Sequence, residues 1–381
     1  MPPETVFLQK ISQTITDNLT ANECLIRFGG DEFIVLAAQI KTRSQIENLC
    51  QNLIQWCSSE FEVLQTKIVV SGSIGVAQAP YDGVKFKQLC RKADIAMYEA
   101  KRNGRNRFEF YDVRFDEESD EKFSLIQRLR PAVQANALAV YYQPLIDLKT
   151  GNICALEALL RWPQEDGSMI FPDRFIPLAE SSGLIDTLGA WVLNQACMFC
   201  AKQQQNGNSE LSIAVNLSFA QFKDGNLPQI VKGALETSQL APEHLELELT
   251  ESILADDNGN VIQQLEQIKS LGVTFAIDDF GTGYSNLNYL RTFSAQKLKI
   301  DRIFINTLGF DEKDVPLVTA IISIAESLGM ATVAEGIENE AALKKITEMG
   351  CDIGQGYYWS KPVPAEQIER LIEAQSPTNQ R

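Results

Sequence analysis

His244-Leu-Glu-Leu-Glu-Leu-Thr250 alternates strictly, so a strand here sets Glu246 and Glu248 on one face and three leucines on the other. Seven other short apolar runs accompany it: Val140–Leu145, Ile153–Leu160, Leu211–Leu217, Val273–Asp279, Lys297–Asp301, Ala331–Glu335 and Cys351–Gly356. Helical patterns separate most of them. Strands that alternate with helices in this number predict an α/β chain folded as a (β/α)₈, TIM-like barrel.

What stands at or near the ends of these runs gives the barrel a chemistry. Gln143 lies in the first, Glu157 and Arg161 in the second, Asn216 in the third and Glu248 in the fourth. The fifth carries Asp278-Asp279, the sixth Lys299 and Asp301, the seventh Glu335 and the eighth Gln355. A single acid after a strand is ordinarily a helix N-cap. A polar group on every strand is a different matter, because the carboxyl ends of barrel strands converge on one mouth, where active sites are built. Adjacent acids repel unless cations or donors neutralise them. Glu157, Asn216, Glu248, Asp278 and Asp279 therefore form an oxygen-rich set suited to Mg²⁺ or Mn²⁺, with no His or Cys to favour zinc.

Two such ions about 4 Å apart suit phosphodiester hydrolysis, since they stabilise the attacking and leaving oxygens together. Arg161 can grip a phosphate in bidentate fashion. Lys299 could orient a nucleophilic water or balance developing charge, and Glu335 could bind metal through water or assist proton transfer. Asp278-Asp-Phe-Gly-Thr-Gly-Tyr-Ser-Asn-Leu287 is a glycine-bearing loop able to shut the site, although it lacks the lysine of a phosphate-binding P-loop.

The chain has 381 residues, 34 Lys and Arg against 50 Asp and Glu, a formal charge of −16 and one histidine, His244. That balance argues against holding a DNA or RNA backbone by bulk charge. One histidine makes a Ser–His–Asp hydrolase, a multi-histidine zinc enzyme or a bis-histidine haem protein a poor fit. Eight cysteines, at 24, 50, 57, 90, 154, 197, 200 and 351, mostly sit in apolar patterns. The Cys197/Cys200 CxxC lies in a helical segment with no second pair to complete a zinc site, so reduced structural thiols and a cytoplasmic setting are expected. No run is long and apolar enough for a membrane span, and the start lacks a signal-peptide pattern. Upstream segments of a longer parent could still anchor it.

The acidic stretch 112–122 divides the chain. The expected division is 1–112, a linker with a connecting helix over 113–130 that ends as Pro131 approaches, a barrel over 131–375, and a tail over 376–381. In the first part, two apolar runs flank Gly29-Gly30 as a hairpin, and helices are expected over 6–19, 44–57 and 84–102. A strand is expected over 66–77, and a left-handed cap at Asn103-Gly104.

Glu157-Ala-Leu-Leu-Arg-Trp162 resembles the signature of EAL domains, which are cyclic-di-GMP phosphodiesterases. The similarity continues through Phe175-Ile-Pro-Leu-Ala-Glu180, Asn216-Leu-Ser218, Glu248-Leu-Thr-Glu-Ser252 and Asp278-Asp-Phe-Gly-Thr-Gly-Tyr-Ser285. Lys299-Ile-Asp301, Val333-Ala-Glu-Gly336 and Gln355-Gly-Tyr357 complete it. The resemblance implies a barrel whose first strand runs antiparallel to the rest. It further implies metal ligands at Glu157, Asn216, Glu248 and Asp278, with Asp279 serving a second metal. Lys299, Glu335 and Glu251 would belong to the catalytic set, Glu251 by holding the loop that begins at Asp278. Gln143, Arg161, Gln355 and Asp301 would meet substrate, and a homodimer would form through the barrel. Asn286 and Ser294 depart from the family pattern outside the chemistry.

Arg27-Phe-Gly-Gly-Asp-Glu-Phe33, Ser73-Ile-Gly-Val-Ala77 and Ala93-Asp-Ile-Ala-Met-Tyr-Glu-Ala-Lys101 resemble the later two-thirds of a GGDEF domain, the diguanylate cyclase fold. The resemblance would place Asp31 and Glu32 against metal. A first strand with its metal-binding Asp has no counterpart in the sequence, and Thr20-Ala-Asn-Glu23 stands where the family has its inhibitory RxxD. A partial, cyclase-incompetent domain with a scaffolding or regulatory role is expected. The leading reading is hydrolysis of cyclic-di-GMP to linear pGpG. A silent cyclic-di-GMP receptor is the alternative, and a cyclase resting on the hairpin signature is a third.

Overall fold

The computed structural model describes residues 3–59, 61–63, 66–68, 70–135, 137–254, 259–281, 293, 295–308 and 313–375. They form two compact units, Met1–Ser124 and Leu125–Arg381.

The first unit holds helices α1 (Pro3–Asn18), α2 (Arg43–Cys57) and α3 (Phe86–Arg102) with six short strands. The strands are β1 (Glu23–Gly29), β2 (Glu32–Ala37), β3 (Phe61–Val63), β4 (Thr66–Ile68), β5 (Ile74–Val76) and β6 (Phe108–Phe110). β1 and β2 form the expected antiparallel hairpin, and Gly30 turns it at φ +50°. A capping box between Thr42 and Gln45 starts α2. Gly104, at φ +106°, follows the end of α3, while Asn103 itself is not left-handed.

The strand expected over 66–77 is instead two pieces. β4 pairs antiparallel with β3, and β5 pairs parallel with β6, so one apolar stretch serves two separate ladders. Gly75 explains the second piece. A Cβ there would lie 1.8 Å from the Ala93 carbonyl oxygen, so β5 rests directly on the backbone of α3. A small core of Ile11, Ile15, Leu53 and Phe61 holds this unit together.

Helix α4 (Val113–Gln134) does not end before Pro131 but continues through it. Leu125, Leu129 and Val133, four residues apart, are all buried in the second unit's core. Burying three such side chains is worth about 1.5–3 kcal/mol each, enough to outweigh the backbone bond that proline removes.

The second unit is a closed barrel of β7 (Ala139–Asp147), β8 (Ile153–Pro163), β10 (Ser212–Asn216), β11 (Leu245–Thr250), β12 (Thr274–Phe280), β13 (Lys297–Ile300), β14 (Ala331–Ala334) and β15 (Ile353–Gly354). All eight expected strands form. β7 is antiparallel to both β8 and β15, and every other barrel pairing is parallel. A two-residue strand β9 (Met169–Ile170) edges β8, and β16 (Val363–Pro364) edges β7. Period-two alternation sends Leu245, Leu247 and Leu249 outward against the surrounding helices, where each is fully buried. Inside the barrel, Leu145, Ala155, Val333 and Ile353 form a separate apolar plug. The main core between sheet and helices includes Leu156, Phe175, Leu193, Ile213, Phe222, Phe275, Leu298 and Ile346.

Cys197 and Cys200 are both fully buried on the helix Ile185–Gln205, and burial pushes each thiol up to about 12. They are inert packing residues. Among the described residues, no helix is long and apolar enough to cross a membrane.

Candidate active site

The leucine faces of β11 and its neighbours point outward, so their polar residues must point in. Lys299 is the centre of what results. Its side chain is 1% exposed, and its Nζ lies 2.7 Å from Glu335 Oε1, 2.8 Å from Glu248 Oε2, 3.2 Å from Asp278 Oδ1 and 3.9 Å from Glu157 Oε2. One ammonium thus faces four carboxylates delivered by four different strands or their ends.

Two amides orient Glu157. Asn216 Nδ2 donates to its Oε1 (2.7 Å) and Gln355 Nε2 to its Oε2 (2.5 Å). Gln355 Nε2 also reaches Gln143 Oε1 (3.0 Å), while Gln143 Nε2 donates to the Ser360 carbonyl (3.1 Å). Gln143 and Glu157 stand directly opposite in the β7–β8 ladder. Both are mid-strand, which differs from the expectation that Gln143 lies near the end of its run. The β7–β8 register sets Gln143 level with Glu157 and within reach of Gln355. Gly356 lets the Gln355 segment sit close, since a Cβ there would lie 2.0 Å from the Ile337 carbonyl oxygen.

The fifth acid arrives by a backbone device. Asp278 faces inward on β12, so period two would turn Asp279 away. Asp279 instead adopts φ +55°, where the β12–β13 register shifts between Ile277 and Phe280. Asp278, Asp279 and Glu335 thereby each offer an oxygen within 4.8 Å of the others. Asp301 caps the short helix Arg302–Ile305, accepting from the Ile303 backbone N–H (2.7 Å), so the ordinary capping role does hold for this acid. It also shares a carboxyl hydrogen bond with Asp279.

Electrostatics follow from this crowding. Burial and the neighbouring Glu157 charge push the Glu248 carboxyl well above the usual range, more than Lys299 can offset. Burial, Asp278 and Asp301 raise Asp279 to about 6, and burial raises Glu335 to about 8 despite its contact with Lys299. Burial opposes ionisation of Glu157 too, but Lys299 and the two amide donors hold its carboxyl below the ordinary value. Burial works against the charged form of Lys299, but the surrounding carboxylates overrule it and raise its pKa.

The donor set fits hard divalent cations. Four carboxylates share one ammonium, the candidate ligand atoms are all oxygen, and Glu248 Oε1 is buried with no hydrogen-bond partner among the described residues. Arg161 stands apart near the end of β8, with its guanidinium 5.6 Å from the Phe171 ring centre and 6.0 Å from that of Tyr141. Glu251 is buried at the start of the short helix Glu251–Leu254, and neither carboxylate oxygen has a partner among the described residues. Beyond Gly281 the loop that it is expected to hold, with Asn286, lies outside the described residues, as does Ser294. Sequence reasoning overlooked Lys297, although Lys297-Leu-Lys299 carries the same alternation as Glu246-Leu-Glu248. Nothing in the sequence marks the Ser360 carbonyl.

The EAL domain family model matches residues 126–362, and the diguanylate cyclase, GGDEF domain model matches residues 6–107. The chain is 38% identical over 363 residues to the bifunctional diguanylate cyclase/cyclic di-GMP phosphodiesterase MucR of Pseudomonas aeruginosa, covering 95% of this chain and 53% of that one. It is 33% identical to the cyclic di-GMP phosphodiesterase PdeR of Escherichia coli, covering 96% of this chain and 55% of that one. It thus spans about half the length of these relatives. A solved structure of the PaMucR phosphodiesterase in complex with c-di-GMP superposes with a TM-score of 0.62 at 42% identity, over 64% of this chain and 99% of that one. The EAL domain of Mycobacterium smegmatis DcpA gives 0.54 at 35% identity, over 62% of this chain and 98% of that one. With its barrel, its inverted first strand and the EAL match over most of its length, the chain belongs to the EAL-domain family, and a GGDEF domain precedes the barrel.

Proposed function

We propose that this chain hydrolyses cyclic-di-GMP to linear pGpG at the barrel mouth, using two Mg²⁺ or Mn²⁺ ions. The observation that carries the reading is the cage in which one ammonium, Lys299, faces the carboxylates of Glu157, Glu248, Asp278 and Glu335, with Glu248 Oε1 lacking a hydrogen-bond partner among the described residues. Glu157, Asn216, Glu248 and Asp278 would hold one ion, and Asp279 would serve the second. When bound, such ions polarise the phosphate and supply hydroxide at neutral pH.

The residues of the chain do the rest. Water oxygen attacks phosphorus, the P–O3′ bond breaks, and the products carry a 5′-phosphate and a 3′-hydroxyl. Lys299 Nζ orients the attacking water and balances charge as it develops on the phosphoryl oxygens. Glu335, raised to about 8, is poised to exchange a proton at its carboxyl near neutral pH. Arg161, Gln143, Gln355 and Asp301 position the substrate, and the Asn216 and Gln355 amides fix the rotamer of Glu157. Glu251 holds the loop after Asp278. The GGDEF unit acts as scaffold or regulator without making cyclic-di-GMP, the chain forms a homodimer through the barrel, and it works in the cytoplasm.

Incubating the protein with cyclic-di-GMP and Mn²⁺ and separating the products by chromatography tests this. Linear pGpG is expected from the wild type and not from Glu157→Ala. Tight binding of the dinucleotide without turnover, with Mn²⁺ bound, would identify a receptor instead and sink the enzymatic reading. Synthesis of cyclic-di-GMP from GTP would overturn the role given to the GGDEF unit.

A further inference from the structure

Beneath the cage lies a second ion pair that the proposed chemistry does not use. Lys297 Nζ is 3.0 Å from both carboxylate oxygens of Glu246. Glu246 is 3% exposed, and the side chain of Lys297 is 18% exposed. Each partner sits two residues before a cage residue on the same strand face: Glu246 before Glu248 on β11, Lys297 before Lys299 on β13. Between these strands, β12 turns Thr274, Ala276 and Asp278 inward. Ala276 is fully buried and stands in register with both Glu248 and Lys297. Its short side chain leaves room for both lysine arms to cross β12, one to each glutamate.

Two features argue that this pair does more than fill space. Apart from Thr274, whose hydroxyl is taken by the Leu245 carbonyl, the barrel interior around it is apolar or small, with Leu145, Ala155, Ala214, Val333 and Ile353, so a hydrophobic filling was available there. It also lies one strand-pleat pair, about 7 Å, below the cage, through an interior where charges are weakly screened. An uncompensated glutamate at that depth would add to the negative field on any cation in the cage, and an uncompensated lysine would oppose it.

We propose that Lys297 and Glu246 are positioning residues forming an electrically neutral floor under the carboxylate cage, so that the cage alone sets its affinity for divalent cations. The proposal rests on the reading of the cage as a cation site. Neither residue is among those that would hold metal or substrate; they act through the field that they cancel beneath the cage.

Calorimetric titration of Mn²⁺ into the full chain tests it, using wild type, Glu246→Gln, Lys297→Met and the double variant. Glu246→Gln is near-isosteric and leaves one positive charge, so Mn²⁺ affinity is expected to fall on the order of tenfold. Lys297→Met leaves one negative charge and is expected to tighten binding by a similar factor. The double variant is neutral again and is expected within about twofold of wild type, a reversal that loss of packing would not produce. If Lys297→Met fails to fold, the contrast between Glu246→Gln and the double variant still decides. Affinity unchanged in Glu246→Gln, or a double variant as weak as that single one, overturns the floor while leaving the cage intact. Absence of Mn²⁺ binding by the wild type overturns both.

Discussion

Two sets of acids in this chain have similar sequence credentials and opposite physical fates. Asp31 and Glu32 at the signature hairpin of the GGDEF unit are exposed, on a two-stranded ladder. Glu157, Glu248 and Asp278 are buried in the barrel, and eight strands aim their neighbours at the same point. Water solvates and screens the first set without help. The second set has lost its water, so protons, Lys299 or a cation must do that work. Closure of the sheet makes the difference, because only a closed barrel brings residues more than two hundred positions apart, such as Gln143 and Gln355, into hydrogen-bond contact.

The contrast is broken most directly at the cage. Glu157→Ala is expected to lower cyclic-di-GMP hydrolysis by about a thousandfold or more, as loss of a ligand to a metal-activated nucleophile should. Product chromatography reads this, and a loss under tenfold would mean that the cage is not where the chemistry occurs. Lys299→Met leaves buried carboxylates facing one another and should cost about 3–5 kcal/mol of stability in metal-free protein, measured by urea unfolding. Added Mn²⁺ should restore part of that loss.

pH offers a finer test. Glu335 at about 8 and Asp279 at about 6 lie above their unfolded values, so the folded state binds their protons more tightly. The stability this gives is fully present below the unfolded carboxyl range and is lost as pH rises through 6 and then 8. Metal-free protein should therefore become less stable from about pH 5 to 8.5, by about 1.4 kcal/mol for every tenfold by which folding tightens proton binding at Glu335, and by less at Asp279, whose exposure lets solvent screen the charges. Saturating Mn²⁺ should flatten this slope, so its stabilisation, read by thermal melting, should be larger at pH 8.5 than at pH 6. An equal effect at both pH values would show that the cation does not displace these protons.

The GGDEF side of the comparison should respond in packing and not in barrel chemistry. Gly75→Ala forces a methyl into the α3 backbone and should destabilise the first unit by about 1–3 kcal/mol, as limited proteolysis would report. The smallest effect is expected at the hairpin itself. Asp31→Ala with Glu32→Ala should change cyclic-di-GMP hydrolysis less than about twofold, as exposed substitutions usually do. A larger change would mean that the hairpin regulates the barrel.

Much of this molecule is legible in its residue order. Strict alternation in His244–Thr250 settles which faces of β11 are apolar, and the spacing of eight apolar runs settles the barrel, because side-chain direction in a strand depends only on sequence parity. Resemblance supplies the antiparallel first strand, which periodicity cannot show. Parity fails at Asp279, whose left-handed backbone turns it toward Asp278 and Glu335. It also fails to reveal that Pro131 stays inside a helix or that 66–77 divides between two ladders. In each case the deciding contact is distant in sequence: Leu129 and Val133 reaching the barrel core, and the α3 backbone pressing on Gly75.

Residue order alone sets which side chains are apolar on which face, and so the barrel and the acids available to its mouth. How those acids share one lysine, which carboxyls are pushed to hold protons, and that Lys297 and Glu246 lie paired beneath them are settled by the folded barrel. The physical reason is that strand parity is local, whereas desolvation and charge pairing depend on neighbours that arrive from other strands.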